Sequence, residues 1–501
     1  MIFDDSESRP NEEGTSKNNA KEQGTDNPRV YYHQTSDNIE NIENYRVGGY
    51  HPVALGGTLN GHYNILHKLG HGGFSTVWLA QDTDKAKYVA IKVIMAEASE
   101  EAMNVEETGM DKVSSESARF GDFVNFPTEC FWIAGPNGLH LAIVSPLAGP
   151  SLAQLVEATQ FGEMKQEHVL GGRMAQRLAL QITQAVSFFH NAGIGHGDLT
   201  CNNMLLELQN LDHLAPEALL KLLGHSQVEV VARLDAKRVQ PTAPKYAIEP
   251  ANALNLLPYW TGNIKIIDFG TVYSLNDPPK DLNTPFSSCP PEYLLFDKVG
   301  KEADIWALGV LIYKIRACKD LFPDIMGEDW EVLTQMEEFL GPIASQDGSP
   351  VALIDLHDDS TPSTEREEPL LSELIHSINV RKSREDPEDK DRKADVGVTE
   401  TLSQRKLGRQ DICGAEGDSR EIGQIDQVQR REQLIELTVD GLKNGRTDLK
   451  VAVKGESVSG RISREEADLL IDLLQGALNY DVGKRLSSDE MLRHPWFSKN
   501  F

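Results

Sequence analysis

In the stretch Ile194-Gly195-His196-Gly197-Asp198-Leu199-Thr200-Cys201-Asn202-Asn203-Met204-Leu205-Leu206, an acid and an amide stand five residues apart on a loop that runs into a short apolar strand. That pair suits phosphoryl transfer. A carboxylate at Asp198 can position and deprotonate an attacking hydroxyl, and the amide oxygen of Asn203 can hold a magnesium ion on nucleotide phosphates. The plain alternative is a turn that uses Asp and Asn for turn chemistry. A second acid follows downstream. Asn263-Ile-Lys-Ile-Ile267 reads as a buried strand, and Asp268-Phe269-Gly270 closes it. Asp268 is therefore the second candidate metal ligand, and Gly270 lets the chain turn back toward the phosphates.

Such a pair needs a cation and a cover for the phosphates. Tyr63-Asn-Ile-Leu-His-Lys-Leu reads as a strand before the turn Gly70-His71-Gly72-Gly73-Phe74-Ser75, and Thr76-Val77-Trp78-Leu79-Ala80 resumes as a strand. Glycines let backbone amides come close to phosphates. On the next strand, Tyr88-Val89-Ala90-Ile91-Lys92-Val93-Ile94, a lysine sits in an apolar run, where it costs free energy unless an anion pairs with it. A helix over Glu100 to Val113 is expected to supply that anion. Glu106 shares its face with Met103, Met110 and Val113, whereas Glu107 would turn Asp111 and Ser114 inward, so Glu106 is preferred. A solvated glutamate is the alternative at either position.

The elements around these residues follow from periodicity. His140-Leu-Ala-Ile-Val144 reads as a strand, and Ser145-Pro146-Leu147-Ala148-Gly149-Pro150 as a linker whose backbone would meet an adenine edge. Met174, Leu178, Ile182, Ala185 and Phe189 fall on one helical face, which ends near Gly193 and delivers the chain into the Asp198 loop. Residues 208 to about 260 form an insert with a polar, proline-containing middle. Asp304 to Tyr313 is apolar nearly all round, as a buried helix should be, and Arg485 is a candidate bidentate partner for Glu292. Residues 327–340 read as an acidic helix. Residues 1 to about 30 are nearly free of apolar side chains, and 13 of the 20 residues from 381 to 400 are charged. Both tracts are expected to stay disordered, because they cannot bury enough surface to offset ordering entropy.

Composition sets limits. At 501 residues the chain has room for two or three domains or one large catalytic unit with insertions. A net charge of −28 argues against direct nucleic-acid binding and fits a basic protein substrate. The five cysteines (Cys130, Cys201, Cys289, Cys318, Cys413) are scattered without a C-x-x-C pair, which points to free thiols in a reducing compartment. The N-terminus shows no secretory signal, and no apolar stretch would span a bilayer. The expectation is a protein of the cytoplasm and nucleus.

In this order the motifs resemble those of the eukaryotic protein kinases, from about Tyr63 to Phe497, and within them the SR-protein kinase branch, particularly its divergent fungal members. Four stretches carry the closer resemblance: Gly48-Gly49-Tyr50-His51-Pro52-Val53, Gly70-His-Gly72-Gly-Phe-Ser75-Thr-Val-Trp78, the loop His196-Gly-Asp-Leu-Thr200, and Lys301-Glu-Ala-Asp304-Ile-Trp-Ala-Leu-Gly309. The resemblance implies an α+β, two-lobe kinase fold. Its parts would be a disordered tail over 1–44, a small lobe with its lead-in over 45–147, the larger lobe over 148–340, a charged insert over 341–430 and terminal helices over 431–501. It implies transfer of the γ-phosphoryl of ATP, with magnesium, to Ser or Thr of Arg-Ser-rich splicing proteins by a monomer. Asp198 and Lys92 would be catalytic, with Asn203 and Asp268 as metal ligands. The nucleotide would meet Leu69, Gly70, His71, Gly72, Gly73, Phe74, Ser75, Thr76, Val77, Ala90, Lys92, Glu106, Pro146 and Ala148. Residues 268–292, ending in Pro290-Pro291-Glu292, would be the activation segment.

There are departures. Gly197 replaces an arginine that commonly reads an activation-loop phosphate, which implies activity without that modification. Thr200 replaces a lysine that usually neutralises the transferred phosphate and supports the Ser/Thr assignment, which leaves a weak pseudokinase scaffold open. A His-Gly-Asp loop also occurs in aminoglycoside and choline kinases, but the Val-Ala-Ile-Lys strand, Pro290-Pro291-Glu292 and the Asp304–Gly309 helix favour the protein-kinase branch.

Overall fold

Val, Ile, Tyr and Trp cluster between residues 63 and 94, and a pleated sheet gives such side chains a surface to pack on. The computed structural model describes residues 29–104, 122–161, 172–343, 371–376, 378 and 462–500. In it a short strand, Thr58–Leu59 (β1), precedes Tyr63–His71 (β2), Ser75–Asp82 (β3), Lys87–Ile94 (β4), Glu129–Gly135 (β5) and Gly138–Pro146 (β6). They form one antiparallel sheet in the order β1-β2-β3-β4-β6-β5. Side chains alternate between the faces. Val89, Ile91 and Val93 of β4 join Tyr63, Ile65 and Trp78 in a buried cluster. Ala90 and Lys92 point the other way and stay part-exposed, in register with Leu79 and Val77. That second face is the roof of the site. Residues 96–104 after β4 are helical (α1).

Two expectations at the start of the chain need correction. Residues 29–44, assigned to a disordered tail, are ordered: Tyr31, Ile39 and Ile42 are buried, and Ile42–Asn44 form a 3₁₀ turn. Tyr50-His51-Pro52-Val53, which the sequence suggests as a lead-in strand, is not a strand. Pro52 has no N–H for a ladder, and the segment is held instead by burial of Tyr50 and Val53. The tail expected over residues 1–28 lies outside the described residues, as does most of 341–430.

The larger lobe begins with Leu152–Phe161 (α2) and Gly172–Asn191 (α3), then Ile194–Gly195 (β7) and Met204–Leu208 (β8). Helix α3 buries Leu178, Ile182, Ala185 and Phe189 on one face, as the spacing predicts, and the chain leaves it through Gly193 at φ +76°. The insert is ordered. It carries Pro216–Leu223 (α4) and a hairpin of Val228–Val230 (β9) with Tyr246–Ile248 (β10). It packs back on the small lobe: Leu219, Leu223 and Leu256 meet Leu79 and Tyr88, and the amide of Ala251 donates to the carbonyl of Lys68 at 2.8 Å. Trp260–Ile266 (β11) pairs with β8, and Tyr273–Ser274 (β12) with β7. Then come Pro291–Phe296 (α5), Lys301–Ala317 (α6), Asp329–Leu340 (α7), Leu371–His376 (α8) and Arg464–Ala477 (α9). Helix α6 is buried on all sides. Trp306 in it stacks on Phe322 with ring centroids 6.0 Å apart. No helix among the described residues is long and apolar enough to cross a membrane.

Candidate active site

Two short ladders converge on the Asp198 loop. In the β8–β11 pair Met204 faces Ile266, and the amide of Ile267 donates to the carbonyl of Asn203 at 3.0 Å. This sets Asp268 beside Asn203. In the β7–β12 pair Gly195 faces Tyr273, whose ring atoms lie 2.3 Å from where a Cβ on Gly195 would stand, so no side chain fits there. Between the ladders, Asp304 of α6 accepts from the amides of His196 (2.8 Å) and Gly197 (3.0 Å) and from Nε2 of His190 (3.0 Å). Burial would raise the pKa of this carboxyl, but the His190 bond and the two amides hold it below the usual carboxylate range. A buried anion thus pins the backbone just before Asp198.

Asp198 itself is tied on one side only. Its Oδ2 accepts from Nδ2 of Asn203 at 2.6 Å, while its Oδ1 is buried with no hydrogen-bond partner among the described residues. Such an atom carries a desolvation cost unless something comes to meet it. Burial pushes the pKa of Asp198 up to about 6, against the pull of the Asn203 bond and with help from the negative charge of Asp268. Burial lowers the pKa of His196, and its Nδ1 accepts from the Asp198 amide at 3.2 Å.

Asp268 sits at φ +65°, ψ +75°, a left-handed conformation uncommon for a residue with a side chain. The next residue holds it there. Phe269 packs against Phe189 and His196 with centroids 6.0 and 5.6 Å apart. Lys92 Nζ lies 2.9 Å from Asp268 Oδ2. Burial opposes ionisation of Asp268, but Lys92 wins and lowers its pKa. The partner of Lys92 among the described residues is therefore Asp268. Glu106 and Glu107, the two expected partners, lie outside them.

The glycine turn closes the site from above. Leu69, Gly70, Val77 and Ala90 are part-exposed, and His71, Gly72, Gly73 and Phe74 are exposed. In Ser75 and Thr76 the side chains turn inward, which leaves their backbone for the expected nucleotide contacts. Both are buried, and the Thr76 hydroxyl accepts from the indole N–H of Trp78 at 2.9 Å. In the linker, the Pro146 carbonyl accepts from Nδ2 of Asn125 at 3.1 Å. Ala148 follows in irregular backbone.

The residues fit a magnesium–nucleotide complex on three counts. A Cβ added at Gly70 or Gly73 meets nothing within 4 Å, and neither has positive φ. The fold itself does not demand glycine there, whereas close approach of a phosphate does. Second, Asp198 Oδ1 is a buried acceptor with no hydrogen-bond partner among the described residues. Third, the bond from the Ile267 amide to the Asn203 carbonyl at 3.0 Å sets an amide side chain and the Asp268 carboxylate side by side, a donor set that suits magnesium when phosphate oxygens complete its shell.

A family model for the protein kinase domain matches residues 63–224 and 252–497. The chain belongs to the protein kinase family. The relatives it resembles carry the branch expected from the motifs. The chain is 32% identical over 179 residues to serine/threonine-protein kinase spk-1 of Caenorhabditis elegans, which covers 34% of this chain and 17% of the relative. It is 28% identical over 324 residues to serine/threonine-protein kinase SRPK of Physarum polycephalum, covering 60% and 72%. It is 29% identical over 176 residues to SRSF protein kinase 3 of Homo sapiens, covering 33% and 29%. The chain thus spans less than a third of the worm and human relatives.

As a protein kinase it has one departure that the geometry explains. Gly197 stands at φ +79°, and a Cβ on it would come 2.7 Å from the carbonyl oxygen of Thr271. The usual arginine has no room. In its place the Thr284 hydroxyl of the activation segment donates directly to the Gly197 carbonyl. The expected Arg485–Glu292 pair is present and bidentate, at 2.6 and 2.9 Å, with the guanidinium carbon 5.1 Å from the Trp306 ring centroid. Sequence reasoning missed Thr284 and the anchoring role of Asp304. Both act on residues 87 and 107 positions away, and no local pattern marks such pairs.

Proposed function

We propose that this chain is an ATP- and magnesium-dependent protein serine/threonine kinase acting on Arg-Ser-rich proteins. The observation that carries the reading is Asp198: a buried carboxylate with one bound and one open oxygen, beside Asn203 and the Lys92–Asp268 pair. Bound ATP with magnesium supplies the phosphoryl group and the charge neutralisation that its transfer needs. The protein's own groups do the rest. Asp198 Oδ1 orients a serine hydroxyl and takes its proton. Asn203 and Asp268 are the groups for the metal, Lys92 and the turn amides for the phosphates, and Leu69, Val77 and Ala90 for the base, with Pro146 and Ala148 at its edge.

Two features support the substrate class. The chain carries a net charge of −28, and α7 with its approach sets Asp324, Glu328, Asp329 and Glu331 near one another in sequence, complementary to arginine. The human relative is named for action on SRSF proteins. Such substrates suit a monomeric enzyme of the cytoplasm and nucleus. The Thr284–Gly197 bond, where a phosphate-reading arginine would otherwise act, supports activity without loop phosphorylation.

The deciding experiment uses phosphatase-treated protein and labelled ATP with magnesium. An Arg-Ser repeat peptide is compared with a neutral serine peptide. Transfer to the former, absent without magnesium, is expected. Equal transfer to both would sink the substrate class, no transfer until the loop is phosphorylated would sink the third claim, and no transfer at all would sink the kinase reading. A pH series adds a separate check. Asp198 must be ionised to act as base, and burial sets its pKa at about 6 in the free protein. kcat/KM for the peptide should therefore be flat above neutrality and fall about tenfold per pH unit once below pH 6. An acid limb that begins below pH 5 would mean that another group limits the rate.

A further inference from the structure

Two stretches of this chain lie outside the match to the kinase family, residues 29–62 and 225–251, and they pack on each other. The amide of Tyr32 donates to the carbonyl of Ala232 at 3.0 Å, and that of Leu234 to Val30 at 2.9 Å. Glu229 of β9 accepts from the Thr35 hydroxyl at 2.5 Å and from the amides of Thr35 and Ser36 at 2.8 and 3.1 Å. Tyr31, Ile42 and Tyr45 close an apolar cluster with Val231 and Ala247. The lead-in segment is thus built onto the insert.

From that base it reaches β2 at one point and the glycine turn at two. Glu40 forms a fully buried ion pair with Lys68 on β2. The Asn38 carbonyl lies 3.1 Å from Nε2 of His71. The Tyr50 hydroxyl lies 2.7 Å from the carbonyl oxygen of Gly72 and 3.1 Å from that of Gly73, to which it donates. The same segment holds the start of α1: Arg46 makes two 3.0 Å bonds to Glu97, and the carbonyls of Gly48 and Gly49 accept from the amides of Glu97 and Ala96 at 2.8 and 3.1 Å.

The Tyr50 contact has a geometric consequence. A Gly-rich turn loses more backbone freedom on ordering than any other segment of its length, and a side chain at Gly70 or Gly73 would touch nothing. One bond lies within the turn, from the Gly72 amide to the Ser75 carbonyl at 2.8 Å, and the Phe74 carbonyl accepts from the Met95 amide at 2.8 Å; the carbonyls of Gly72 and Gly73 are fixed from outside. In a planar trans peptide the C=O and the following N–H point opposite ways. A hydroxyl that fixes the carbonyls of Gly72 and Gly73 therefore turns the amides of Gly73 and Phe74 away from the lead-in segment. Those are amides the turn has to offer to phosphate oxygens.

We propose that Tyr50 is a positioning residue for the nucleotide: its hydroxyl, anchored through the lead-in segment and the insert, presets the glycine turn in the form that receives phosphates. This rests on the kinase reading above. The turn's order is thereby set by sequence outside the family-matched region.

The test is Tyr50→Phe in the full chain. The ring keeps its edge contact with Tyr45, 5.5 Å between centroids, and only the hydroxyl is lost. Hydrogen exchange at the amides of residues 70–76 is compared with wild type, together with equilibrium binding of magnesium-ATP and the KM for the peptide. One shared hydrogen bond corresponds to an increase of about three- to tenfold both in exchange at the turn and in the ATP dissociation constant. The peptide KM and the thermal midpoint should stay at wild-type values, which a merely structural role would not allow. Exchange at the turn that is unchanged, or that rises only together with the whole small lobe, overturns the proposal. If the wild-type chain binds no ATP, the kinase reading fails instead, and the exchange comparison still decides whether Tyr50 orders the turn.

Discussion

Asp198→Asn is expected to lower the turnover of phosphoryl transfer by about a hundred- to ten-thousand-fold, the range measured for a positioned general base, with the ATP dissociation constant unchanged. The local geometry makes this a clean substitution. Asparagine keeps an oxygen to accept from Asn203 Nδ2, which now bonds Asp198 Oδ2 at 2.6 Å. The Asp198 amide keeps its bond to His196, and Asp304 still pins the backbone one residue earlier. What disappears is the charge and the proton acceptor at the buried, partnerless Oδ1. A group that acts only as the proton leaves should lower kcat and kcat/KM alike. Removing a negative charge near Asp268 would, if anything, favour nucleotide phosphates, so loss of activity with undiminished ATP affinity is the expected signature. A variant that keeps more than about a tenth of wild-type turnover would take Asp198 out of the base role.

Much of this site was legible because its chemistry is local in sequence. Asp198 and Asn203 share one loop. Asp268 ends a strand whose apolar run announces it, and Lys92 stands out in an apolar strand. The relation between these pieces was less legible. Lys92 pairs with an aspartate 176 residues away, a relation that a helical-face argument does not reach because it looks only at neighbours in the chain, and Glu106, the partner that argument preferred, lies outside the described residues. The lead-in segment shows the same limit more sharply. Residues 29–44 hold few apolar side chains without a helical or strand period, so composition assigns them to a tail. They are ordered because Tyr31, Ile42 and Tyr45 meet Val231 and Ala247, and because Thr35 meets Glu229 194 residues later. The insert, whose sequence shows only a polar, proline-containing middle, illustrates the converse. Its charged residues are partners for backbone amides, as Glu229 is for Thr35 and Ser36, and so its polarity is compatible with order. The motif glycines were visible, but not the reason for each. Gly197 and Gly195 are required by contact with Thr271 and Tyr273, whereas Gly70 and Gly73 are required by nothing among the described residues.

The second large effect is on stability, at Glu466. Arg316 of α6 and Glu466 in the first turn of α9 have side-chain exposures of 0% and 2%, and they are joined by two bonds of 2.6 and 3.0 Å. Glu466→Ala should destabilise the protein by about 3–5 kcal/mol, because it leaves a guanidinium in apolar surroundings without its carboxylate. An exposed pair such as Lys484–Asp481, with 74% and 52% of its side chains accessible, should lose far less on the same treatment, because solvent screens it. The buried pair is not irreplaceable in principle. Arg316→Met with Glu466→Leu, which removes both charges, should recover most of the loss, since two buried charges repay their desolvation only in good geometry. Denaturant unfolding of the three variants checks this, and equal stability of the single and double variants would mean that packing volume, not charge, sets the cost. The position of the pair links it to the site. Helix α6 also carries Asp304, the anchor of the catalytic loop. Gly172, at the start of the helix that leads into that loop, lies so close that a Cβ there would stand 3.3 Å from the Glu466 carboxylate. Three helices therefore meet at one ion pair, two of which position Asp198. In Glu466→Ala, activity should be lost on heating at the same lowered temperature as the fold, while the kcat of the folded fraction at low temperature stays at the wild-type value.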